Sequence, residues 1–294
     1  MNFKTRPQFR LTALLSLVGM LSLSMSSTAF AQGIPVGSGK ISDTPKAGYV
    51  YSCQQKFNKN APGARATGDW IKGDLWYPEL KPTVGGNVTW DNGGVEQDAR
   101  NGTRVLTTTN LPTHGTGIYP VRRTDDAYEF DRNPNRISAQ NITLRLPTAP
   151  QAANAPSCLP MGMIGVSLTG AAIYNALDAR GDDAPANEIQ DSCGGHPERQ
   201  GQYHYHGPTD CMVETGASAD GHSGLVGYAL DGFGLYGLRG DDGQQISNDD
   251  LDVCHGHTGP VIQDGEMREL YHYHLTREYP YTLGCFTGAP LAAR

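Results

Sequence analysis

Apolar and polar residues alternate over short spans along most of the chain, and turn residues interrupt the alternation every few positions. GNVTWDN (86–92), TRVLTTTN (103–110), AYEF (127–130) and NITLRLP (141–147) are segments of this kind, set among GG, NG, DN and NP turn signals. A period of two sends successive side chains to opposite faces of a strand, so residues 32–147 are expected to be mostly β. One run breaks the pattern. LTALLSLVGMLSLSM follows Lys4, Arg6 and Arg10 and precedes small residues ending at Ala31. That order is the order of a secretory signal peptide, here cut before Gln32. No other stretch is apolar for long enough to cross a bilayer, and no cysteine stands at the cut to take a lipid anchor. The expected location is the periplasm or the medium, with no membrane anchor.

TAPQAANAP (148–156) reads as an internal boundary or as a surface loop within one domain. Beyond it the pattern repeats. GVSLTGAAIY (165–174) aligns with GYALDGFGLY (227–236), sharing Gly, Leu, Gly and Tyr at the same offsets. Arg180-Gly-Asp-Asp183 then matches Arg239-Gly-Asp-Asp242, and Asp191-x-Cys193-x-Gly-His196 matches Asp252-x-Cys254-x-Gly-His257. Each copy goes on to a YHYH word (203–206 and 271–274) and closes on a cysteine, Cys211 or Cys285. The expectation is a β-rich α+β fold of short-strand sheets. Its parts are a signal peptide (1–31), a β-rich N-terminal part (32–147) and a duplicated unit (157–294), with repeats at about 165–211 and 227–285. The repeats are expected to pack about a pseudo-twofold axis, and the whole to form one compact domain or two closely packed halves.

Composition sharpens this reading. With Gly 37, Pro 19 and only 18% charged residues, long helices are not expected. The formal charge of −7 becomes −10 once the three basic residues of the leader are removed from 23, leaving 20 against 30 acidic residues. Such a surface is a poor partner for nucleic acid or anionic lipid. Cys53, Cys158, Cys193, Cys211, Cys254 and Cys285 all lie past the leader, and their even number suits disulfides in an oxidising compartment. The simplest pairing closes each repeat on itself, Cys193 with Cys211 and Cys254 with Cys285, and leaves Cys53 for Cys158; other pairings remain open.

The candidate chemistry lies in the histidines. Eight of the nine fall between 196 and 274, and three His-x-His pairs occur, at 204/206, 255/257 and 272/274. On a strand, residues i and i+2 share a face, so each YHYH word presents two imidazoles on one side and two tyrosines on the other. Neutral imidazole binds borderline cations such as Zn(II) or Cu(II), and paired rings need little further ordering to share one. His196 with His204 and His206, and His257 with His272 and His274, are the expected ligand sets, with His255 as a further candidate beside Cys254. Two separate ions, a bridged pair, or one ion on the twofold axis all fit the pattern. Asp191 and Asp252 are candidates for orienting a ligating ring or for taking a proton, against a plainer role as turn carboxylates. His114 and His222 are loop histidines with no assigned use. The tyrosines of the YHYH words are expected in the core.

Together, NALDARGDD, EIQDSCGGH, QYHYHG, LVGYALDGFGLYG, LDVCHGHTG and YHYHLTREYPYTLGCFTG resemble the YHYH protein family, a group of secreted, mostly bacterial proteins. Asn110-Leu-Pro-Thr-His114 resembles a segment found upstream in that family. The resemblance implies export and a common fold but no settled activity, so function must be argued from the site. The leading expectation is a secreted metal-binding protein, plausibly a hydrolase in which a zinc or copper ion activates water. The alternatives are copper or zinc capture without catalysis, a copper oxidase, and a carbohydrate-binding or structural surface module. A small molecule or a glycan is the expected substrate class.

Overall fold

The computed structural model describes residues 32–61 and 67–291, together with Met1. The expected signal peptide therefore lies outside the described residues. From Gln32 onward the chain forms one compact unit.

An eight-stranded sheet carries the chemistry. Its strands in chain order are β1 (Met163–Ser167), β2 (Ala172–Tyr174), β3 (Gly195–Pro197), β4 (Tyr203–Tyr205), β5 (Leu225–Ala229), β6 (Gly234–Tyr236), β7 (Gly256–Gln263) and β8 (Glu266–His274). Across the sheet they run β3-β4-β2-β1-β5-β6-β8-β7. From the centre outward, each half has an antiparallel neighbour, then a parallel one, then an antiparallel edge strand. The halves meet at the antiparallel pair β1–β5, where Val166 lies opposite Tyr228, two positions that are themselves 62 apart. That is the offset between GVSLTGAAIY and GYALDGFGLY, so the register is symmetric about this pair. Glycine is required on both sides of it. A Cβ on Gly165 would sit 2.7 Å from the Tyr228 carbonyl oxygen, and one on Gly227 2.5 Å from that of Val166.

Thr103–Thr108 and Ile142–Pro147 are strands, joined by Val95–Arg100 in a three-stranded antiparallel sheet. The other two alternating segments fold differently. AYEF lies in a 3-10 turn, Asp126–Glu129, whose start is fixed by the Asp125 side chain accepting from the Ala127 N–H; this local cap prevails over the weak alternation. In GNVTWDN only Val88 pairs, through a single bridge to Thr116. Ala152–Ser157, within and just past the expected boundary, is a strand paired with Phe286–Gly288 near the end of the chain. Leu106, Leu144 and Leu146 share a hydrophobic core with Val166, Tyr228, Leu230 and Phe233, so the N-terminal region and the large sheet bury each other's apolar faces. The single α-helix among the described residues, Ala184–Asn187, is four residues long, capped by the Asp183 side chain.

Three disulfides staple the unit: Cys53–Cys158, Cys193–Cys211 and Cys254–Cys285. Among the described residues no helix is long and apolar enough to cross a membrane.

Candidate functional site

Strand β4 points Tyr203 and Tyr205 into the core, where both are wholly buried. The intervening His204 and the next residue, His206, take the other face with His196, which lies opposite His204 on β3. One ligand atom from each of these three rings lies within 4.8 Å of the others, and His204 Nε2 is 3.1 Å from His206 Nε2. The backbone sets the tautomers. His204 Nδ1 meets the carbonyl of Gln202 at 3.1 Å and His206 Nδ1 that of Asn175 at 2.5 Å. A neutral ring that donates from Nδ1 has only a lone pair at Nε2, so the facing Nε2 atoms are acceptors without a donor between them. Tyr174 stacks on His204 with ring centroids 3.8 Å apart and fixes the ring plane.

Glu188, just past the short helix, completes this group. Its Oε2 lies 3.3 Å from His196 Nε2 and 3.4 Å from His206 Nε2. That oxygen and both ring nitrogens of His196 are buried without a hydrogen-bond partner of good geometry. Unpaired buried polar atoms cost free energy, and here they converge on one point. Lys81 holds the Glu188 segment in place, donating to the backbone oxygens of Pro185 and Glu188. Burial lowers the Lys81 pKa to about 8 despite neighbouring carboxylates. Burial also drives His204 far below its ordinary pKa and His206 down to about 4, aided by the neighbouring imidazoles. His196 behaves differently: burial pushes it down, but the charges of Glu188 and Asp131 outweigh that and raise it. Burial would raise Glu188, yet the facing His196 and His206, with Lys81, hold it low.

The three rings form part of the wall of a cleft of about 850 Å³. Residues 129–135, from the N-terminal region, form another part of its wall. Asp131, Asp178, Glu188 and Glu198 face Arg132 and Arg199 there, so carboxylates prevail. Burial raises Asp178 to about 6.

A second cluster occupies the other half of the sheet. His257 on β7 and His272 and His274 on β8 are joined by His222, and one ligand atom of each lies within 4.8 Å of all the others. His272 Nε2 is 3.1 Å from His274 Nε2 and 3.2 Å from His222 Nε2. Two backbone contacts recur in both clusters. His272 Nδ1 meets the Leu270 carbonyl as His204 meets that of Gln202, and His274 Nδ1 meets that of Gly237 as His206 meets that of Asn175. Burial lowers His272 to about 3 and drives His274 far below its ordinary value. The two YHYH strands are five strand spacings apart in the sheet, about 24 Å at about 4.8 Å per spacing. Of the arrangements the sequence left open, the structure keeps the two histidine sets apart, in separate halves of the sheet.

Three sequence-based candidates fall outside both centres. His255 stands apart from both clusters: its Nδ1 meets the Thr282 carbonyl at 2.5 Å and its Nε2 the Thr276 hydroxyl at 3.1 Å. The same-face rule failed because His255 precedes the strand, in a turn with φ of 75°. Asp191 and Asp252 do not face the imidazoles. Asp191 accepts from the N–H groups of Cys193, Gly195 and Gly117 and from the Tyr203 hydroxyl. Asp252 accepts from the N–H groups of Cys254 and Gly256 and from the Tyr271 hydroxyl. They are turn carboxylates that tie each turn to the tyrosine side of its YHYH strand. The sequence reading missed Glu188 and the place of His222 in the second cluster, both in connecting segments with no periodic pattern around them. The upstream Asn110-to-His114 segment also meets the tyrosine side. Asn110 donates to the Tyr203 carbonyl and accepts from the Ala172 N–H, and His114 Nε2 contacts the Tyr205 hydroxyl.

Fold and sites together define a disulfide-stapled, β-rich protein whose clustered imidazoles can hold a metal ion. A family model described as YHYH protein matches residues 143–245, which include the first histidine triad, Glu188 and His222. Over that region the chain is similar to the YHYH protein family. Comparison with curated proteins and with solved structures gave no match.

Proposed function

We propose that this is an exported metal-binding protein whose first centre, in the 850 Å³ cleft, is hydrolytic. His196, His204 and His206 hold an ion of the zinc or copper class, for which a set of neutral nitrogen ligands is suited. The observation that carries the reading is the convergence, at the cleft wall, of facing Nε2 lone pairs and the partnerless buried Glu188 Oε2. When bound, the ion supplies a Lewis acid. The chain supplies the rest. Glu188 Oε2 takes a proton from the attacking water and returns it to the leaving group. Tyr174 and the Gln202 and Asn175 carbonyls keep the rings aimed. The excess of carboxylates in the cleft favours a neutral or cationic substrate, a small molecule or a glycan, over an anionic one. Three disulfides and a leader-like start support export.

Elemental analysis of protein purified from its own compartment, with hydrolytic assays on neutral esters, amides and glycosides, tests this. Zn or Cu is expected in the wild type, with loss of ion in His204→Ala and loss of turnover with ion retained in Glu188→Gln. Protein that carries no metal and takes up neither Zn(II) nor Cu(II) would overturn it. A second reading, metal capture without turnover, draws support from the burial of all three rings, at 3 to 6% exposed. Full metal loading without hydrolysis in any assay would decide for it.

A further inference from the structure

We infer that the second cluster is a closed, four-nitrogen cation site that works as a structural staple, independently of any chemistry in the first cleft. Its ligands come from two places in the chain. His257, His272 and His274 belong to the β7–β8 hairpin, whereas His222 belongs to the connection before β5. That connection turns back on itself at 218–222, where the Ser218 N–H donates to the His222 carbonyl. An ion shared by the four rings would tie the turn to the hairpin.

The argument is geometric. His222 Nδ1 meets the Ser223 carbonyl at 2.6 Å, His272 Nδ1 that of Leu270 at 3.0 Å and His274 Nδ1 that of Gly237 at 2.7 Å. Each of these rings thereby spends its one proton on the backbone. Three Nε2 lone pairs are left facing one another at 3.1 and 3.2 Å, and His257 Nε2 is buried without a partner. Acceptors held this close, with three of the four rings buried and His257 partly so, call for a positive charge between them. Four ligands about 2.0 to 2.1 Å from a tetrahedral ion lie about 3.3 Å from one another, close to the spacing found here. His222, His272 and His274 are each no more than 1% exposed. The nearest carboxylate is at the rim: Asp241 Oδ1 is 3.8 Å from His222 Nε2, on a side chain 48% exposed. Four neutral nitrogens select a borderline cation over calcium or magnesium, and four protein ligands leave no open position for substrate. The first centre lacks this fourth ring. By the offset of 62, position 222 corresponds to Pro160, which has no donor.

The test uses the mature chain stripped of metal, titrated with Zn(II) by calorimetry and with Co(II) by visible absorption, and melted with and without ion. Wild type is expected to take two equivalents. His204→Ala is expected to keep one, with the intense visible band of tetrahedral Co(II) and a melting temperature several degrees higher when loaded. His222→Ala is expected to weaken that remaining site by about 100-fold and to abolish the gain in melting temperature, while one equivalent still binds at the first centre. Failure of His204→Ala to bind any ion would overturn the inference and leave the first centre untouched. So would unchanged affinity and melting gain in His222→Ala. Should His204→Ala not fold, wild type against His222→Ala alone still reads the second site, as a fall from two tight equivalents to one with the first centre intact.

Discussion

The two halves of the large sheet share strand order, register, disulfide placement and the carbonyls that aim their histidines, yet they surround their centres with different groups. In the first half, residues 129–135 and Gly117 reach over from the N-terminal region, one building the cleft wall and the other donating to Asp191. The second half has no such cover at the equivalent carboxylate, since Asp252 is exposed. The first centre has a carboxylate and a cleft; the second has a fourth imidazole and a rim aspartate. The contrast separates what the strands determine from what the connections add. The strands fix a three-histidine cradle, and the segments outside them decide which further groups stand beside it, Glu188 and a cleft in one half and His222 in the other.

The largest test of this comparison removes one cradle at a time. His204→Ala should cost one bound equivalent and His272→Ala the other, each on the order of 100-fold or more in affinity, as expected when a ligand is lost from a site of few ligands. Equilibrium dialysis with metal analysis measures it. If either single substitution empties both centres, the halves are not independent. Next in size are the staples. Replacing Cys193 and Cys211 by serine, or Cys254 and Cys285, should destabilise the fold by about 3 kcal/mol each. The second pair spans 31 residues against 18 for the first. Loop-closure entropy then makes its loss dearer by about 0.5 kcal/mol. Denaturant unfolding of the two double variants resolves the order.

How much of this was legible in the sequence follows the same division. The YHYH words announced the strands, the shared face of His204 with His206 and of His272 with His274, and the buried tyrosines, because a period of two is a local property. The cysteine pairs followed from the simplest closure of each repeat. Glu188 and His222 were not legible as site residues. Each reaches its centre through a connecting segment, and nothing local in EIQ or DGHSG signals where such a segment ends up. His255 misled for the opposite reason. It sits in a His-x-His word, but its equivalent in the first half is Gly194, and both positions are left-handed, with φ of 75° and 66°. A residue there cannot share a strand face with its neighbour two positions on.

That substitution of histidine for glycine between the halves gives a third, pH-dependent test. Burial lowers His255 from its ordinary 6.5 to about 4, although its hydrogen bond to the Thr282 carbonyl works the other way. The unfolded chain then binds a proton at His255 more readily than the folded one between pH 6.5 and 4. Stability is lost as pH falls through that window, by at most about 3 kcal/mol. Asp183, raised to about 6 by burial, acts in the opposite sense between pH 6 and 3.8 and masks part of the loss in the wild type. Comparing wild type with His255→Gly, both stripped of metal, isolates the histidine. The variant should gain relative to the wild type as pH falls from 6.5 to 4, read from melting temperatures by circular dichroism. Parallel curves would mean that His255 is not the buried neutral group that separates the halves.

The smallest expected effect probes the cover over the first half. Tyr203 and Tyr271 are equivalent residues, and each donates its hydroxyl to the turn carboxylate behind its own YHYH strand, Asp191 or Asp252. Tyr203 and Asp191 are both buried, and burial raises the Asp191 pKa in spite of the donors around it. Tyr203→Phe therefore leaves a buried carboxylate short of a donor and should cost about 1 to 3 kcal/mol. Tyr271 is only partly buried and Asp252 is exposed, so water can take the place of the lost hydroxyl in Tyr271→Phe. The cost there should be about 0.5 kcal/mol, reduced further because the Thr287 hydroxyl that donates to Tyr271 can turn toward solvent. Urea midpoints of the two variants give the comparison directly. Equal losses would mean that the N-terminal region does not seal the first half from water, and the explanation for the open cleft beside it would have to be sought within the sheet.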